Sequence, residues 1–190
     1  EDLTGKSQQE INKKGIARTF QNIRLFNNMS VIRNVMVGLH NHDEFKCNPF
    51  VSMLRLPKHF KTETSMRNRA KELLRVFDLE EERNNLACNL PYGKQRKLEI
   101  TRALATDPKL LLLDEPAAGM NPNETAELME TVKFIRDKFD MTILIIEHDL
   151  KFVSGLCDEV SVLNFGTVIA QGDTIEALNN PQVVEAYIGK

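Results

Sequence analysis

Apolar residues change their spacing twice along this 190-residue chain, and the changes divide it into three stretches. Residues 1–21 end in an alternating segment after Gly15, which predicts a short strand following a glycine turn. Residues 22–107 carry apolar positions at helical spacing, whereas residues 108–190 contain short, continuous apolar runs. The pattern therefore predicts a strand at one end, a mostly helical middle and an α/β final stretch.

The middle stretch predicts two helices. Within residues 63–78, one apolar stripe recurs at helical spacing and consists of Met66, Ala70, Leu73, Leu74 and Phe77. A second helix is predicted to follow Gly93. Its inward-facing positions are expected to be Leu98, Thr101 and Leu104 or Ala105.

The final stretch predicts a strand–helix–strand unit. Two apolar runs, residues 110–113 and 141–147, have the length of strands buried on both faces of a parallel sheet. Between them, Asn121, Pro122 and Glu124 are typical of a helix start. Such a unit places its two strands parallel to each other. A hairpin around residues 164–166 and a short terminal helix from Asp173 are expected to follow.

The overall composition excludes some classes of function. Hydrophobic residues make up 42% of the chain and the net charge is −2, so a soluble globular protein is expected and a general nucleic-acid binder is not. One basic cluster is interpreted as a solvated helix face: Lys58, Lys61, Arg67, Arg69, Lys71 and Arg75. No apolar run approaches the roughly 18 residues that cross a bilayer, so membrane association is expected to require a partner.

The cysteines indicate neither a zinc site nor a disulfide framework. They are Cys47, Cys88 and Cys157, an odd number with no two close in sequence, which fits a reducing cytosol. The first residue is Glu1 and not Met, which suggests a trimmed or partial chain.

Polar side chains with acid–base chemistry follow both predicted strands of the final stretch. Asp114 and Glu115 follow the leucine run, and His148 follows the next strand. Because ligands bind beyond the carboxyl ends of strands in open α/β sheets, these side chains are expected to face one ligand. Asp114 suits a magnesium ion held through its waters, and Glu115 suits polarisation of an attacking water. His148 is expected to contact a γ-phosphate or to hold Glu115 and the water.

Residues 90–96 carry a weaker signal. Gly93 precedes a predicted helix, where backbone N–H groups and the helix N-terminus favour a phosphate. A glycine before a helix is common, so this feature alone is not specific.

Taken together, these motifs resemble an ATP-binding cassette domain, in the same order and over essentially the whole chain. Gln21 is similar to the Q-loop glutamine, which reaches the magnesium and the attacking water. Asp114 and Glu115 resemble the Walker B aspartate and catalytic glutamate, and His148 resembles the switch histidine. The residues that resemble nucleotide contacts of the signature motif and the D-loop are Leu90, Pro91, Tyr92, Gly93, Lys94, Gly119 and Asn121.

The resemblance implies a fold, a domain organisation and cofactors. The fold would be an α/β P-loop NTPase core of the ATP-binding cassette type, RecA-like, with a mostly parallel sheet and an inserted α-helical subdomain. Residues 1–21 would end an N-terminally truncated core portion, residues 22–107 would form the helical subdomain, and residues 108–190 would complete the core. ATP and Mg²⁺ would be the cofactors.

Finer motifs resemble the ATP-binding subunits of branched-chain amino-acid importers, namely residues 18–26, 90–93, 114–122 and 186–189. That branch implies a homo- or heterodimer of ATP-binding subunits at the cytoplasmic face of the membrane. It also implies membrane-spanning permease subunits, an extracytoplasmic amino-acid-binding protein acting indirectly, and no nucleic acid. Residues 22–26 and 45–60 are the expected permease contacts.

Three departures from the family pattern modify these expectations. A complete Walker A loop is not present, and Gly5-Lys6-Ser7 is interpreted as a coincidence. The chain alone is therefore expected to bind ATP weakly, not to hydrolyse it, and to expose an apolar sheet edge. Pro91 offers neither a hydroxyl nor an N–H, so Gly93, the helix amides and Lys94 would supply more of the phosphate contact. Asn121 stands where many relatives carry aspartate.

Other functions stay open. The nearest alternative within transport is the ATPase of a lipopolysaccharide-type exporter. A non-transport cassette ATPase acting on nucleic acid or ribosomes would usually carry tandem cassettes, coiled-coil insertions or basic linkers, which this sequence does not show. Glu115 and His148 argue against a degenerate, non-catalytic module. The transported substrate is not encoded here, because this type of subunit does not touch it.

Overall fold

The structure is a computed structural model that describes residues 2–40, 42, 45 and 57–188. Cys47 and most of the predicted contact segment 45–60 lie outside the described residues. The helices are α1 Gln8–Lys13, α2 Val31–Leu39, α3 Pro57–Val76, α4 Tyr92–Leu104, α5 Pro122–Phe139, α6 Leu150–Leu156, α7 Thr174–Leu178 and α8 Pro181–Ile188. The strands are β1 Ile16–Arg18, β2 Leu110–Asp114, β3 Thr142–Ile146, β4 Glu159–Asn164 and β5 Thr167–Asp173.

A parallel three-stranded sheet forms the centre of the fold. Its strand order is β1–β2–β3, with Ala17 opposite Leu111 and Leu112 opposite Leu144. The predicted strand–helix–strand unit is confirmed, because β2, α5 and β3 follow one another and the two strands are parallel neighbours. The α/β class with a parallel sheet is therefore confirmed.

Helix α5 begins where the sequence predicts. The Asn121 side chain accepts hydrogen bonds from the backbone N–H groups of Asn123 and Glu124, and the Glu124 carboxylate accepts one from the Asn121 N–H. This reciprocal capping box satisfies donors that a helix start leaves without partners. The buried stripe of α5 is Leu128, Val132 and Ile135, and Phe139 is partly buried at its end.

The helical part packs as a bundle of α2, α3 and α4. The predicted stripe from Met66 to Phe77 is buried in full. Leu98, Thr101 and Leu104 of α4 are buried too, and so is Ala105, which follows the helix. Helix α4 starts at Tyr92, one residue before Gly93. The basic cluster lies on α3, where Lys61, Arg69 and Arg75 are exposed as expected for a solvated face.

The prediction that β2 and β3 are buried on both faces was wrong. Leu111 and Leu113 of β2 are buried while Leu110 and Leu112 are only half-buried, so that strand alternates. In β3, Leu144 is 57% exposed and Ile146 is 59% exposed. Among the described residues, β3 pairs with β2 on one side only, and one of its faces is left uncovered.

An apolar cleft runs beside β3. It measures about 850 Å³ and lies between β3, α6 and β4. Cys157 lines the cleft, and burial raises the pKa of its thiol. In the described residues, the exposed apolar side chains expected at the sheet edge are those of Leu144 and Ile146 on β3, the last strand of the sheet.

The chain ends in a hairpin and two short helices. Phe165 and Gly166 form the hairpin turn with φ of 46° and 81°, the left-handed pair that a tight two-residue turn requires. The predicted helix after Asp173 is α7, whereas α6 and α8 were not predicted. Within the described part of the chain, no helix has the length and apolar character needed to cross a bilayer.

We predict different costs for two leucine truncations in the 190-residue chain. Leu113→Ala should lower the free energy of unfolding by about 2–5 kcal/mol, because Leu113 is only 1% exposed and its loss leaves a cavity. Leu144→Ala, the matched control on the open face of β3, should change it by about 0.5 kcal/mol or less. Urea unfolding measures both. A similar loss of unfolding free energy in the two variants would contradict the observation that one face of β3 is uncovered.

Candidate functional site

The carboxyl end of β2 makes an abrupt turn at two acidic residues. Asp114 is the last residue of the strand and pairs with Ile146 of β3. Glu115 leaves the strand with a φ of 42°, and its N–H donates a 2.9 Å hydrogen bond to the Ile146 carbonyl. A left-handed φ is uncommon outside glycine, so this bond to β3 stabilises a turn that the residue alone would disfavour. Both carboxylates are half-buried at the sheet edge.

The carboxyl end of β3 lies beside this turn. The Glu147 side chain is 2% exposed, and its carboxylate accepts hydrogen bonds from the N–H groups of Ala117 (3.1 Å) and His148 (3.0 Å). Glu147 therefore ties the loop after β2 to the loop after β3. The exposed His148 ring places Nδ1 3.8 Å from Glu115 Oε1 and 3.6 Å from Glu147 Oε2.

Gln21 reaches the same edge from the loop after β1. The Thr19 N–H donates to the Leu112 carbonyl at 2.9 Å, so the pairing with β2 continues one residue past β1. Gln21 Nε2 then donates to Glu115 Oε2 at 2.8 Å. The structure thus brings Gln21, Glu115 and His148 into one cluster around the Glu115 carboxylate.

Sequence reasoning gave no role to Arg18 or Glu147. Arg18 Nη2 donates to Asp114 Oδ2 at 2.9 Å, so the Asp114 charge is compensated within the chain. No sequence pattern indicated this contact, because it depends on the register that sets Arg18 opposite Leu112, on the same strand face as Asp114. A cation bound at Asp114 has to share its carboxylate with Arg18.

The oxygen ligands at this edge suit magnesium that arrives with phosphates. No group of three or more His, Cys, Asp or Glu side chains is gathered for a metal in the described ranges. Magnesium, however, is commonly held by one or two carboxylates together with phosphate oxygens and waters. The Asp114 carboxylate and the Gln21 carboxamide oxygen are such ligands, so the chemistry of the residues fits a nucleotide-bound Mg²⁺.

Residues 90–94 form a second group with the start of α5. Leu90 is buried, Pro91 precedes α4, and the Tyr92 ring packs on Gly119, where an added Cβ would lie 3.3 Å from Tyr92 Cε1. Gly93 is buried, and a Cβ there would lie 2.6 Å from Glu124 Oε1. The predicted signature and D-loop residues therefore pack against each other.

The side chains of Lys94 and Asn121 already have partners within the chain. Lys94 Nζ forms an ion pair with Glu82, and this hydrogen bond lowers the pKa of the Glu82 carboxyl. The Asn121 side-chain oxygen accepts hydrogen bonds from the Asn123 and Glu124 N–H groups and thereby caps α5. A phosphate would share the Lys94 ammonium with Glu82, a partner that the sequence did not indicate.

A parallel α/β sheet with acids and a histidine at its carboxyl edge, joined to a helical part, defines a nucleotide-binding cassette. Comparison with known proteins agrees. A family model described as ABC transporter matches residues 1–118. An ATP-binding cassette of an ABC transporter in its ADP conformation superposes with a TM-score of 0.79 at 33% identity, covering 100% of this chain and 74% of that one. The chain belongs to the ABC transporter family.

Its relatives include ATP-binding proteins of amino-acid transport. The high-affinity branched-chain amino acid transport ATP-binding protein LivG of Salmonella typhimurium is 44% identical over 188 residues, which is 99% of this chain and 73% of the relative. BraF of Pseudomonas aeruginosa, described in the same words, is 38% identical over 190 residues, which is all of this chain and 74% of the relative.

The packing of Gly93 on Glu124 generates a prediction. Gly93→Ala adds a better helix former, worth about 1 kcal/mol in a helix interior, but its Cβ displaces the Glu124 carboxylate that caps α5. In the wild-type background the substitution should therefore leave the free energy of unfolding unchanged or lower it. In a Glu124→Ala background it should stabilise by about 0.5–1 kcal/mol. Urea unfolding of the wild type, the two single variants and the double variant measures the coupling between Gly93 and Glu124. Equal effects of Gly93→Ala in both backgrounds would contradict the contact between Gly93 and the Glu124 carboxylate.

Proposed function

We propose that this chain belongs to the ATP-binding and ATP-hydrolysing subunit of an ABC transporter that powers uptake of branched-chain amino acids. The observation that carries the ATPase proposal is the Glu115 carboxylate, which the turn after β2 holds between Gln21 and His148. The relatives support the substrate class, because their printed names specify branched-chain amino acid transport. The same names favour this proposal over a lipopolysaccharide-type exporter.

The proposed reaction is phosphoryl transfer from ATP to water. Mg²⁺ would neutralise charge on the β- and γ-phosphates, with Asp114 and Gln21 as its protein ligands. Glu115 orients the attacking water and accepts its proton, and Gln21 fixes the carboxylate through a 2.8 Å hydrogen bond. His148 lies 3.8 Å from Glu115, and catalytic contacts of this length commonly tighten when the ligand binds.

Residues 90–94 are proposed to serve a second subunit. Tyr92, Gly119 and Asn121 are exposed on one surface, where the N-terminus of α4 provides backbone N–H groups. Two ATP-binding subunits, identical or different, would pair head to tail. The nucleotide would then lie between the Walker A loop of one subunit and Leu90, Pro91, Tyr92, Gly93 and Lys94 of the other.

The proposed location is the cytoplasmic face of the membrane, beneath permease subunits. An extracytoplasmic amino-acid-binding protein would act through those permeases and not on this chain. Residues 22–26 are a proposed permease contact, and Phe26 in this segment is 47% exposed. Phe26 follows Gln21 by five residues along the same segment, so a permease contact at this exposed ring would act on the chain that carries the proposed catalytic cluster.

Glu115→Gln tests the assignment of the base. In the complete subunit assembled with its permease, kcat should fall by about 10²–10⁴-fold because the carboxamide cannot accept the proton. Binding of ATP should persist. Glu130→Gln, an exposed carboxylate on α5, is the matched control and should leave kcat unchanged. Steady-state hydrolysis and nucleotide trapping measure the two effects. Hydrolysis by Glu115→Gln at the parental rate would exclude Glu115 as the base.

A second prediction concerns residues 1–190 alone. This sequence contains no complete Gly-x-x-x-x-Gly-Lys-Ser/Thr motif to cradle the β- and γ-phosphates, and the Ser7 hydroxyl already accepts a hydrogen bond that caps α1. The isolated 190-residue chain should therefore bind ATP weakly and show no hydrolysis above background. Isothermal titration with ATP and Mg²⁺ measures this, and an affinity in the micromolar range would refute it.

A further inference from the structure

Helix α4 contains a fully buried ion pair that the proposed catalytic cluster does not include. Arg96 is 0% exposed, Glu99 is 1% exposed, and Arg96 Nη1 lies 2.9 Å from Glu99 Oε2. Charged side chains are almost never fully buried unless they are paired. Attraction within a buried pair often fails to offset the cost of dehydrating it, unless further hydrogen bonds satisfy the remaining polar atoms. The hydrogen-bond partners of those atoms therefore indicate which part of the structure the ion pair stabilises.

Three of those partners are backbone groups of the chain just after β1. Arg96 Nη1 donates to the Phe20 carbonyl and Nη2 donates to the Gln21 carbonyl, both at 2.7 Å. Glu99 Oε1 accepts the Arg24 N–H at 3.0 Å. Residues 20–26 form neither helix nor strand, so this ion pair supplies hydrogen bonds that neither a helix nor a sheet provides to that segment.

We propose that Arg96 and Glu99 act as one positioning unit that fixes residues 20–24 and thereby holds the Gln21 carboxamide on Glu115. The guanidinium binds the backbone oxygen of the same residue whose side chain donates to the Glu115 carboxylate at 2.8 Å. Neither Arg96 nor Glu99 touches the reacting atoms. This inference rests on the proposed function only where it assigns Glu115 a catalytic role.

The same guanidinium also contacts residues 90–94. Arg96 Nη2 lies 3.5 Å from the Tyr92 hydroxyl, and the Tyr92 ring packs on Gly119. A ligand or second subunit that moves Tyr92 therefore acts on the group that holds Gln21. The two halves of the candidate site, which lie on different elements, share one side chain.

Only arginine satisfies this geometry. Its planar fork donates from two nitrogens to two neighbouring carbonyl oxygens while it pairs with a carboxylate. Lysine keeps the charge but presents a single nitrogen. The arrangement still leaves Arg96 Nε without a hydrogen-bond partner. Few buried side-chain nitrogen or oxygen atoms in the described residues lack one. Apolar side chains of similar size would stabilise this position without the free-energy cost of dehydrating two charges, so stability alone does not explain the ion pair.

The test is hydrogen exchange on the full, nucleotide-free chain carrying Arg96→Met together with Glu99→Leu. Removing both charges avoids leaving one buried and unpaired, so the fold should persist. Exchange of the Arg24 amide should become at least about tenfold faster, the lower limit expected from losing a hydrogen bond to a charged group. Peptides from β2 and α5 should keep their protection. Unchanged exchange at Arg24 in the folded double variant would overturn the proposal.

Two comparisons sharpen this experiment. Glu130→Leu with Lys133→Met removes an exposed ion pair of the same i,i+3 spacing from α5, and it should leave residues 19–26 unchanged. If the double variant does not fold, Arg96→Lys tests the positioning role of Arg96 instead. It keeps the charge opposite Glu99 but loses the fork, so exchange at residues 20–24 should accelerate by about threefold or more. Exchange equal to wild type would overturn the proposal.

The kinetic readout separates positioning from simple destabilisation. In the assembled transporter, Arg96→Lys should lower kcat by about tenfold and leave KM for ATP within about threefold, because Gln21 loses its alignment while ATP contacts persist. A raised KM at unchanged kcat would contradict positioning of Gln21. If the wild-type transporter hydrolysed no ATP while the exchange result held, the proposed function would fail and the positioning unit would stand.

Discussion

Parallel pairing in register is the constraint on which this molecule depends. Because β1, β2 and β3 run in one direction, their carboxyl ends reach the same edge of the sheet. The chain then places a proposed catalytic side chain one to three residues past each end: Gln21 after β1, Glu115 after β2 and His148 after β3. A one-residue slip of either pairing would turn the side chains of a whole strand to the opposite face. The backbone bond from Glu115 to Ile146 fixes the register at the point where the chemistry is proposed.

Much of this arrangement could be predicted from the sequence, because it depends on local patterns. The capping residues at Asn121 and Glu124, the stripe from Met66 to Phe77 and the apolar run of β2 each identify their element without help from distant residues. The adjacency of Glu115 and His148 followed from a general property of parallel sheets. These are the features in which periodicity, capping chemistry and topology agree.

The rest depends on contacts that no local pattern specifies. The burial of β3 was overestimated because an apolar run indicates what a strand would prefer to contact, not whether a neighbour is present to cover it. Arg18, Glu147, Arg96 and Glu99 were missed as a group because each acts across a long sequence separation. Glu99 and Arg24, for example, are 75 residues apart along the chain. An arginine and a glutamate one turn apart on a helix are usually a solvated surface pair.

The cleft beside β3 has a consequence through the cysteine that lines it. Burial raises the pKa of Cys157, so this thiol forms less thiolate near neutrality than an exposed cysteine does and reacts more slowly with alkylating reagents. Whatever fills the cleft would also block the approach of a reagent, whereas opening it would both admit the reagent and hydrate the sulfur. The alkylation rate of Cys157 therefore reports whether the face of β3 is covered, and no substitution is needed to introduce a reactive side chain.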